Sequence, residues 1–355
     1  MQSEIAPTRV RAGRRLIVPH DAQSGASTVL GLPHAAPAPS ADRSLAYPST
    51  AAGSRVMWGN VAGVAAYHGV ALCAVVPWLF SWTGVAAAAL GLYVFGTLGV
   101  NLCFHRLLTH RSFVCPLWLE HALSVLGVCC LQDTPVRWVV AHRVHHQHSD
   151  EQPDPHSPLV NFLWSHMGWL FVENRGLNSI AAYDRYGRDL LRDSFYMRFE
   201  RNHFWLWVNI AQFVVFYIAG ACLGGALTGT WAGATQMGAS LLVWGVFVRT
   251  VAVWHITWSV NSVTHVWGYR NYATDENSRN NWLVALISNG EGWHNNHHAD
   301  QRSAAHGHRW FELDVTYLTI RALVAVGLAH SYIAPNQRTL DRVTADGIPA
   351  DIGID

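Results

Sequence analysis

Two stretches of this chain carry no Asp, Glu, Lys or Arg at all, one from Val56 to Phe104 and the other from Phe204 to Val248. A helix that crosses a bilayer needs about 20 apolar residues, so each stretch has room for two crossings and a tight turn. The natural turns are Ser81-Trp82-Thr83-Gly84 and Gly224-Gly225-Ala226-Leu227-Thr228-Gly229. Buried hairpins of a soluble protein are the alternative, and two such uncharged runs in one chain argue against them. The expectation is an all-α integral membrane protein with four transmembrane helices in two hairpins. Only 13% of residues are charged, against about 25% in soluble domains.

The arginines orient the chain. Every one of the 24 basic residues is Arg, and all lie in the N-terminal segment, in 105–203, or from Arg249 onward. The positive-inside rule then puts both termini and the long middle segment in the cytoplasm. With a net charge of +1, the chain lacks the basic surface of a nucleic-acid binder. Ala, Pro, Ser and Gly dominate the segment before the first apolar run, a composition that cannot offset chain entropy by burial. Residues 1–54 therefore read as a disordered cytoplasmic extension, 55–335 as the membrane domain and 336–355 as a tail. Arg9, Arg11, Arg14 and Arg15 resemble the basic end of a signal peptide, but Leu16-Ile17-Val18 is too short for its apolar core. The six cysteines form no CxxC pair, and buried thiols act as small hydrophobes, so reduced cysteines are expected.

Three histidine clusters carry the chemistry: His105-Arg-Leu-Leu-Thr-His110, His142-Arg-Val-His145-His146 and His294-Asn-Asn-His297-His298. In the last two, the i, i+3, i+4 spacing sets three imidazoles on one helix face. Neutral imidazole is the commonest metal ligand and suits iron, zinc or copper. One such cluster could be accidental; three on the same side of the membrane are not. Eight histidines exceed what one metal can use, which points to two metal ions.

These boxes, their order and the spans around them resemble the membrane fatty acid desaturases, with the closest likeness to bacterial and cyanobacterial delta-9-type members. The likeness extends from about Val56 to Val324 and includes Asp154-Pro-His156, Trp164-Ser-His-Met-Gly-Trp169, Asn261-Ser-Val-Thr-His265 and Gly290-Glu-Gly-Trp293. One departure is Gln132-Asp-Thr-Pro135, where relatives usually carry Gln-Gly-Gly-Pro. The resemblance implies a cytoplasmic helical cap holding a histidine-rich di-iron site, in a bacterial inner membrane. It adds His265 as a ninth ligand and Asn261 as a ligand through water; by itself His265 would be a lone helical histidine. It also places Gln132, Trp138 and Thr257 at the bend of an acyl tunnel, positions that ordinary packing would explain equally well. Asp150, Asp154, Glu291 and Asp300 beside the boxes are candidates to accept the second N–H of ligand histidines. His68, His121, His148, His156, His166, His203, His255, His306, His308 and His330 receive no role, though His148 and His156 are close enough in sequence to hydrogen-bond to ligands.

An unactivated methylene is too weakly acidic for side-chain acid–base chemistry, so a metal-borne oxidant must do the hard step. The resemblance implies a desaturase that uses two iron ions and O₂ to put a cis double bond, of delta-9 type, into a fatty acyl substrate. The acyl group arrives on coenzyme A, acyl carrier protein or a membrane glycerolipid. No GxGxxG fingerprint and no His-Pro-Gly-Gly haem motif occurs, so electrons must come from an external ferredoxin-like or cytochrome b5-like donor with its reductase. Two other readings use the same histidines. A di-iron acyl or alkyl hydroxylase differs only in the step after the first C–H cleavage. A membrane metal transporter or haem carrier would place its ligands near mid-span, whereas here they flank the spans.

Overall fold

The structure, a computed structural model, describes residues 44–201 and 203–340. Helices α1 (Trp58–Val75) and α2 (Trp82–Thr109) are followed by α3 (Leu117–Val128), α4 (Pro135–His148) and α5 (Phe162–His166). Short helical turns over 180–201 lead to α6 (Phe204–Thr228) and α7 (Trp231–His265). Then come α8 (Trp282–Ile287), α9 (His294–Ala299) and α10 (Val315–Ala325). The one sheet among the described residues is a two-stranded antiparallel pair, β1 (Phe113–Val114) with β2 (Ser331–Tyr332). Helices α1, α2, α6 and α7 are long and apolar enough to cross a membrane. Helices satisfy their backbone hydrogen bonds internally, which lipid demands.

Both expected turns lie slightly elsewhere. The first break falls at Val76 and Pro77, among 3₁₀ turns. Ser81 instead caps α2, its Oγ accepting the Gly84 N–H at 2.9 Å. Gly84 is a contact glycine: a Cβ there would sit 2.8 Å from Ser240 Oγ of α7. In the second pair, Gly224 and Gly225 remain helical, and the chain turns at Gly229, which closes α6 in the left-handed region at φ 67°. A Cβ on Gly224 would run into the Gly233 carbonyl. Small residues let α6 and α7 lie along each other closely, as at membrane helix interfaces. Helix α1 packs chiefly on α7, and α2 on α3 and α7.

The end of α2 enters the main apolar core. Leu102, Phe104, Leu107 and Leu108 are buried against Leu123, Val136, Val139 and Ile320. Residues 44–54, assigned from composition to a disordered extension, are packed instead. Leu45 N–H bonds Leu159 O at 2.9 Å, Tyr47 packs edge-on against Trp164, and Ala51 is buried. The rest of that extension, 1–43, and the tail beyond 340 lie outside the described residues.

From Leu92 to Thr109 helix α2 is wound as a π-helix. Five residues along an α-helix amount to about 500°, or 140° apart in projection. Wider winding reduces that offset, and the His110 N–H bonds the His105 carbonyl, five residues back, at 3.2 Å. The two histidines of the first box thereby reach one centre. Such winding is often found at functional sites.

Candidate metal centre

The three boxes and His265 converge, and their nitrogens sort into two groups. His105, His110, His142, His146 and His297 bring one ring nitrogen each within 4.8 Å of one another, as do His145, His265, His294 and His298. Each HxxHH box is therefore shared. From α4, His142 and His146 serve the first group and His145 the second; from α9, His297 serves the first and His294 and His298 the second. The three imidazoles that the spacing sets on one helix face are thus divided between two places.

Local sequence explains how these helices are held. Thr134 caps α4 by accepting the Arg137 N–H, with Pro135 next as the first helical residue. Helix α9 follows Gly290-Glu291-Gly292, where a Cβ on Gly292 would strike the Ala285 backbone. The asparagines inside the third box tie α9 down. Asn295 Oδ1 accepts the N–H groups of Asn271 and Tyr272, both at 2.8 Å. Asn296 donates to His306 O at 2.8 Å and to Glu312 at 2.7 Å.

Buried carboxylates fix the imidazoles. His105 Nδ1 donates to Glu291 at 2.6 Å, His145 Nδ1 to Asp154 at 3.0 Å, and His265 Nδ1 to Asp150 at 3.0 Å. Glu291 also accepts from Arg106 Nε at 3.1 Å and Nη2 at 2.7 Å, and Arg106 reaches Asp314 at 2.9 Å. Burial opposes ionisation of these acids, but Arg106 and the histidines around Glu291 hold it well below the usual carboxylate range. His265 does the same for Asp150, and His145 for Asp154. Of the four acids expected here, Asp300 does not take part; its Oδ2 accepts the Asn336 N–H.

A proton on Nδ1 leaves Nε2 with a bare lone pair, the form that binds metal. Nε2 atoms of the boxes face one another: His105 and His297 Nε2 are 3.1 Å apart, His142 and His146 3.0 Å, His146 and His297 2.9 Å, and His265 and His294 3.0 Å. Two ligands at about 2.1 Å from an ion and at right angles to each other lie about 3.0 Å apart. His110 Nε2, His145 Nε2 and His298 Nε2 are buried with no hydrogen-bond partner among the described residues, and buried polar atoms rarely stay unpaired. Burial and the neighbouring imidazoles push His110, His142, His146, His294, His297 and His298 well below the ordinary histidine value. They are neutral at physiological pH. The donor set fits two ions that accept nitrogen.

Sequence reasoning left two histidines of this neighbourhood without a role. His306 is buried, its Nδ1 3.3 Å from Glu291, and burial takes it down to about 4. His156 packs on His145 with ring centroids 4.4 Å apart. Neither belongs to an HxxHH pattern, so spacing gave no signal; Glu276, 3.7 Å from His298 Nδ1, was equally silent.

A cavity of about 570 Å³ reaches the first group, with His105 and His142 in its wall. Gln132, Trp138, Thr257 and Asn261 also line it. Gln132 donates to Thr257 Oγ1 at 2.9 Å and accepts from Trp138 Nε1 at 3.3 Å, and the Trp138 indole stacks on His142 with centroids 4.9 Å apart. The three expected tunnel residues thus form one hydrogen-bonded set. Asn261 stands one helical turn before His265, and its carbonyl accepts from Ser165.

The sequence is similar to those of known proteins. Residues 80–331 match the family model described as fatty acid desaturase. The chain is 41% identical over 281 residues to the sn-1 stearoyl-lipid 9-desaturase of Anabaena variabilis, covering 79% of this chain and 95% of that one. It is 37% identical to the sn-2 palmitoyl-lipid 9-desaturase of a Nostoc strain, over 79% and 91%. The acyl-CoA C20 Delta5-desaturase of Anemone leveillei is 38% identical over 75% of this chain and 79% of its own. With apolar spans, buried histidine clusters and these relatives taken together, the chain belongs to the fatty acid desaturase family and is a fatty acyl desaturase.

Proposed function

We propose that the protein holds two iron ions and introduces a cis double bond of delta-9 type into an acyl chain carried by a membrane glycerolipid. The observation that carries the di-iron reading is the convergence of nine histidine nitrogens into two separate groups, with Nε2 pairs at metal-edge distances. His105, His110, His142, His146 and His297 would hold one ion. His145, His265, His294 and His298 would hold the other, with Asn261 positioned to act through water. Bound iron would supply the O₂-dependent redox chemistry that removes two hydrogens from adjacent methylenes, consuming two electrons and two protons and releasing two waters.

The protein's own residues do the positioning. Gln132, Trp138 and Thr257 fix the wall beside His142, so that two particular carbons stop next to the first centre. Glu291, Asp154 and Asp150 keep the ligand tautomers correct. The delta-9 position is supported by the relatives named as 9-desaturases.

Two features of the cavity favour a glycerolipid over coenzyme A or acyl carrier protein. The first is charge. Among the described residues Arg137 is the only Arg lining the cavity, and it is paired with Asp133 at 3.8 Å and Glu200 at 3.3 Å. Asp133 holds a left-handed backbone position, φ 76°, where relatives usually have glycine. A polyanionic carrier needs unpaired cations. The second is access. Gly59 and Gly63 of α1, with Leu206 and Ile210 of α6, line the cavity and are exposed, and a Cβ on either glycine would meet open space. These faces of two spanning helices would open the cavity sideways into lipid. The site lies on the cytoplasmic side of a bacterial inner membrane in this reading, as the arginine distribution suggests.

The test is expression in a bacterium with a compatible reductase, followed by mass spectrometry of intact lipids. A new cis double bond at carbon 9 of a glycerolipid acyl chain is expected. Hydroxylated acyl chains in place of alkenes would refute desaturation, and product confined to the acyl-CoA or acyl carrier protein pool would refute the lipid carrier.

A further inference from the structure

Two pockets among the described residues touch different members of one histidine group. The acyl cavity is walled by His105 and His142. A second pocket, of about 310 Å³, is walled by His110 and His146 of the same group, together with Arg143, Gln147, Gln301 and Arg302. No member of the four-histidine group lines either pocket, and all four are buried. His110 and His146 are only half-buried. The five-histidine group is therefore a partition, with the acyl cavity on one side and a polar opening on the other.

The polar opening has an uncommitted positive charge. Arg143 is fully engaged, donating to Leu108 O at 2.8 Å, Tyr186 O at 2.7 Å and Asp189 at 2.8 Å. Asp189 is shared with Arg111 at 2.9 Å, and Arg111 also meets Glu120 at 3.7 Å, so these two guanidinium groups are answered by two carboxylates. Gln147 accepts the Tyr186 hydroxyl at 2.5 Å. The nearby acid Asp300 is turned to the Asn336 N–H at 2.7 Å. Arg302 is exposed and makes no ion pair among the described residues. A polar concavity with surplus positive charge, floored by two ligand imidazoles, fits the approach of a negatively charged protein.

Resting on the di-iron desaturase reading, we infer that this pocket is the docking site of a small acidic ferredoxin-like electron carrier, with Arg302 as the charge that captures it. Each turnover needs two electrons from outside the chain, and electron transfer weakens steeply with distance. His110 and His146 are where the metal ligands come nearest to water, and on that side no acyl chain is in the way. Arg302 is a docking residue and touches neither metal nor substrate.

The test uses the full-length, iron-loaded enzyme in lipid nanodiscs, reduced either by a plant-type ferredoxin with its reductase or by dithionite. Reversing a charge at an interface rim acts mainly on association and its salt dependence. Arg302→Glu should raise the KM for ferredoxin about tenfold at low salt and flatten its dependence on ionic strength. Its kcat at saturating ferredoxin, its iron content and its reduction by dithionite should match the wild type. Arg302→Lys should restore the KM to within about twofold, because a point charge suffices for capture. An unchanged KM in Arg302→Glu, or an equal loss with dithionite, would overturn the assignment. So would failure of ferredoxin to reduce the wild type when dithionite succeeds. The chain's own acidic tail is the competing occupant. Asn in place of Asp341, Asp346, Asp351 and Asp355 should leave the effect of Arg302→Glu intact, and its disappearance would give the pocket to the tail. No alkene from dithionite-reduced wild type supplied with lipid and O₂ would instead overturn the desaturase reading itself.

Discussion

Replacing Glu291 by glutamine exchanges one carboxylate oxygen for an NH₂ group between two buried donors. One oxygen accepts both Arg106 contacts, at 3.1 and 2.7 Å, and the other accepts His105 Nδ1 at 2.6 Å. If the amide oxygen stays with Arg106, the NH₂ confronts His105 Nδ1. That nitrogen can no longer carry a proton, so the proton moves to Nε2, where the metal would bind. Loss of such a supporting acid typically costs 10- to 100-fold in metal affinity. Arg106 also loses a counter-charge while fully buried, and breaking a buried pair costs about 3–5 kcal/mol. Because Asp314 still meets Arg106 at 2.9 Å, the lower end, about 3 kcal/mol, applies. In the four-histidine group His145 and His265 are held by Asp154 and Asp150, not by Glu291, so that group should be spared. Iron per chain, measured by inductively coupled plasma mass spectrometry across a chelator titration, should fall from two to one in Glu291→Gln at chelator levels that leave the wild type loaded. Retention of both ions with wild-type resistance would refute the tautomer argument, and parallel loss of both would refute the separateness of the two groups.

Other substitutions divide the site along the same line. His145→Ala and His297→Ala should each lower iron to about one per chain and abolish turnover, with the protein still in the membrane fraction; full activity in either would remove that residue from the ligand set. Trp138→Ala removes a large side chain that packs on both His142 and Phe104, a loss of several kcal/mol. Per iron-loaded enzyme it should shift or blur double-bond position, as read by gas chromatography of derivatised products, and an unaltered product profile would return Trp138 to simple packing. Reporter tags at either terminus or between Gly176 and Tyr183 should be cytoplasmic, whereas tags in the Val76–Ser81 break or at Gly229 should be external; an external middle segment would separate the site from its electron donor.

The sequence was readable where chemistry follows from residue type and period. Uncharged runs marked the four long helices because lipid excludes charge, and the i, i+3, i+4 histidines marked where the buried histidine groups gather because a helix repeats every 3.6 residues. What stayed hidden was set by tertiary contact. The division of each box between two groups depends on how α4 and α9 face each other, which no local pattern encodes. The π-winding of α2 is invisible in composition, and without it His105 and His110 point apart. Glycines at 84 and 224 looked like turn formers and proved to be places where helices touch, since a missing Cβ serves either purpose. Arg106, buried in the middle of the site, looked like one more interfacial arginine because its partners Glu291 and Asp314 lie 185 and 208 residues away.

The sharing of each box has a consequence for assembly. In the proposed di-iron site, whichever ion arrived first would draw α4 and α9 together, since each helix contributes histidines to both groups. The entropy of fixing those two helices is then already spent, and the remaining histidines stand close to their final places before the second ion comes. Once bound, iron in one group would let the second ion load faster than the first, while each group still holds its ion on its own ligands, so that a cell regaining iron would complete half-filled enzymes soonest.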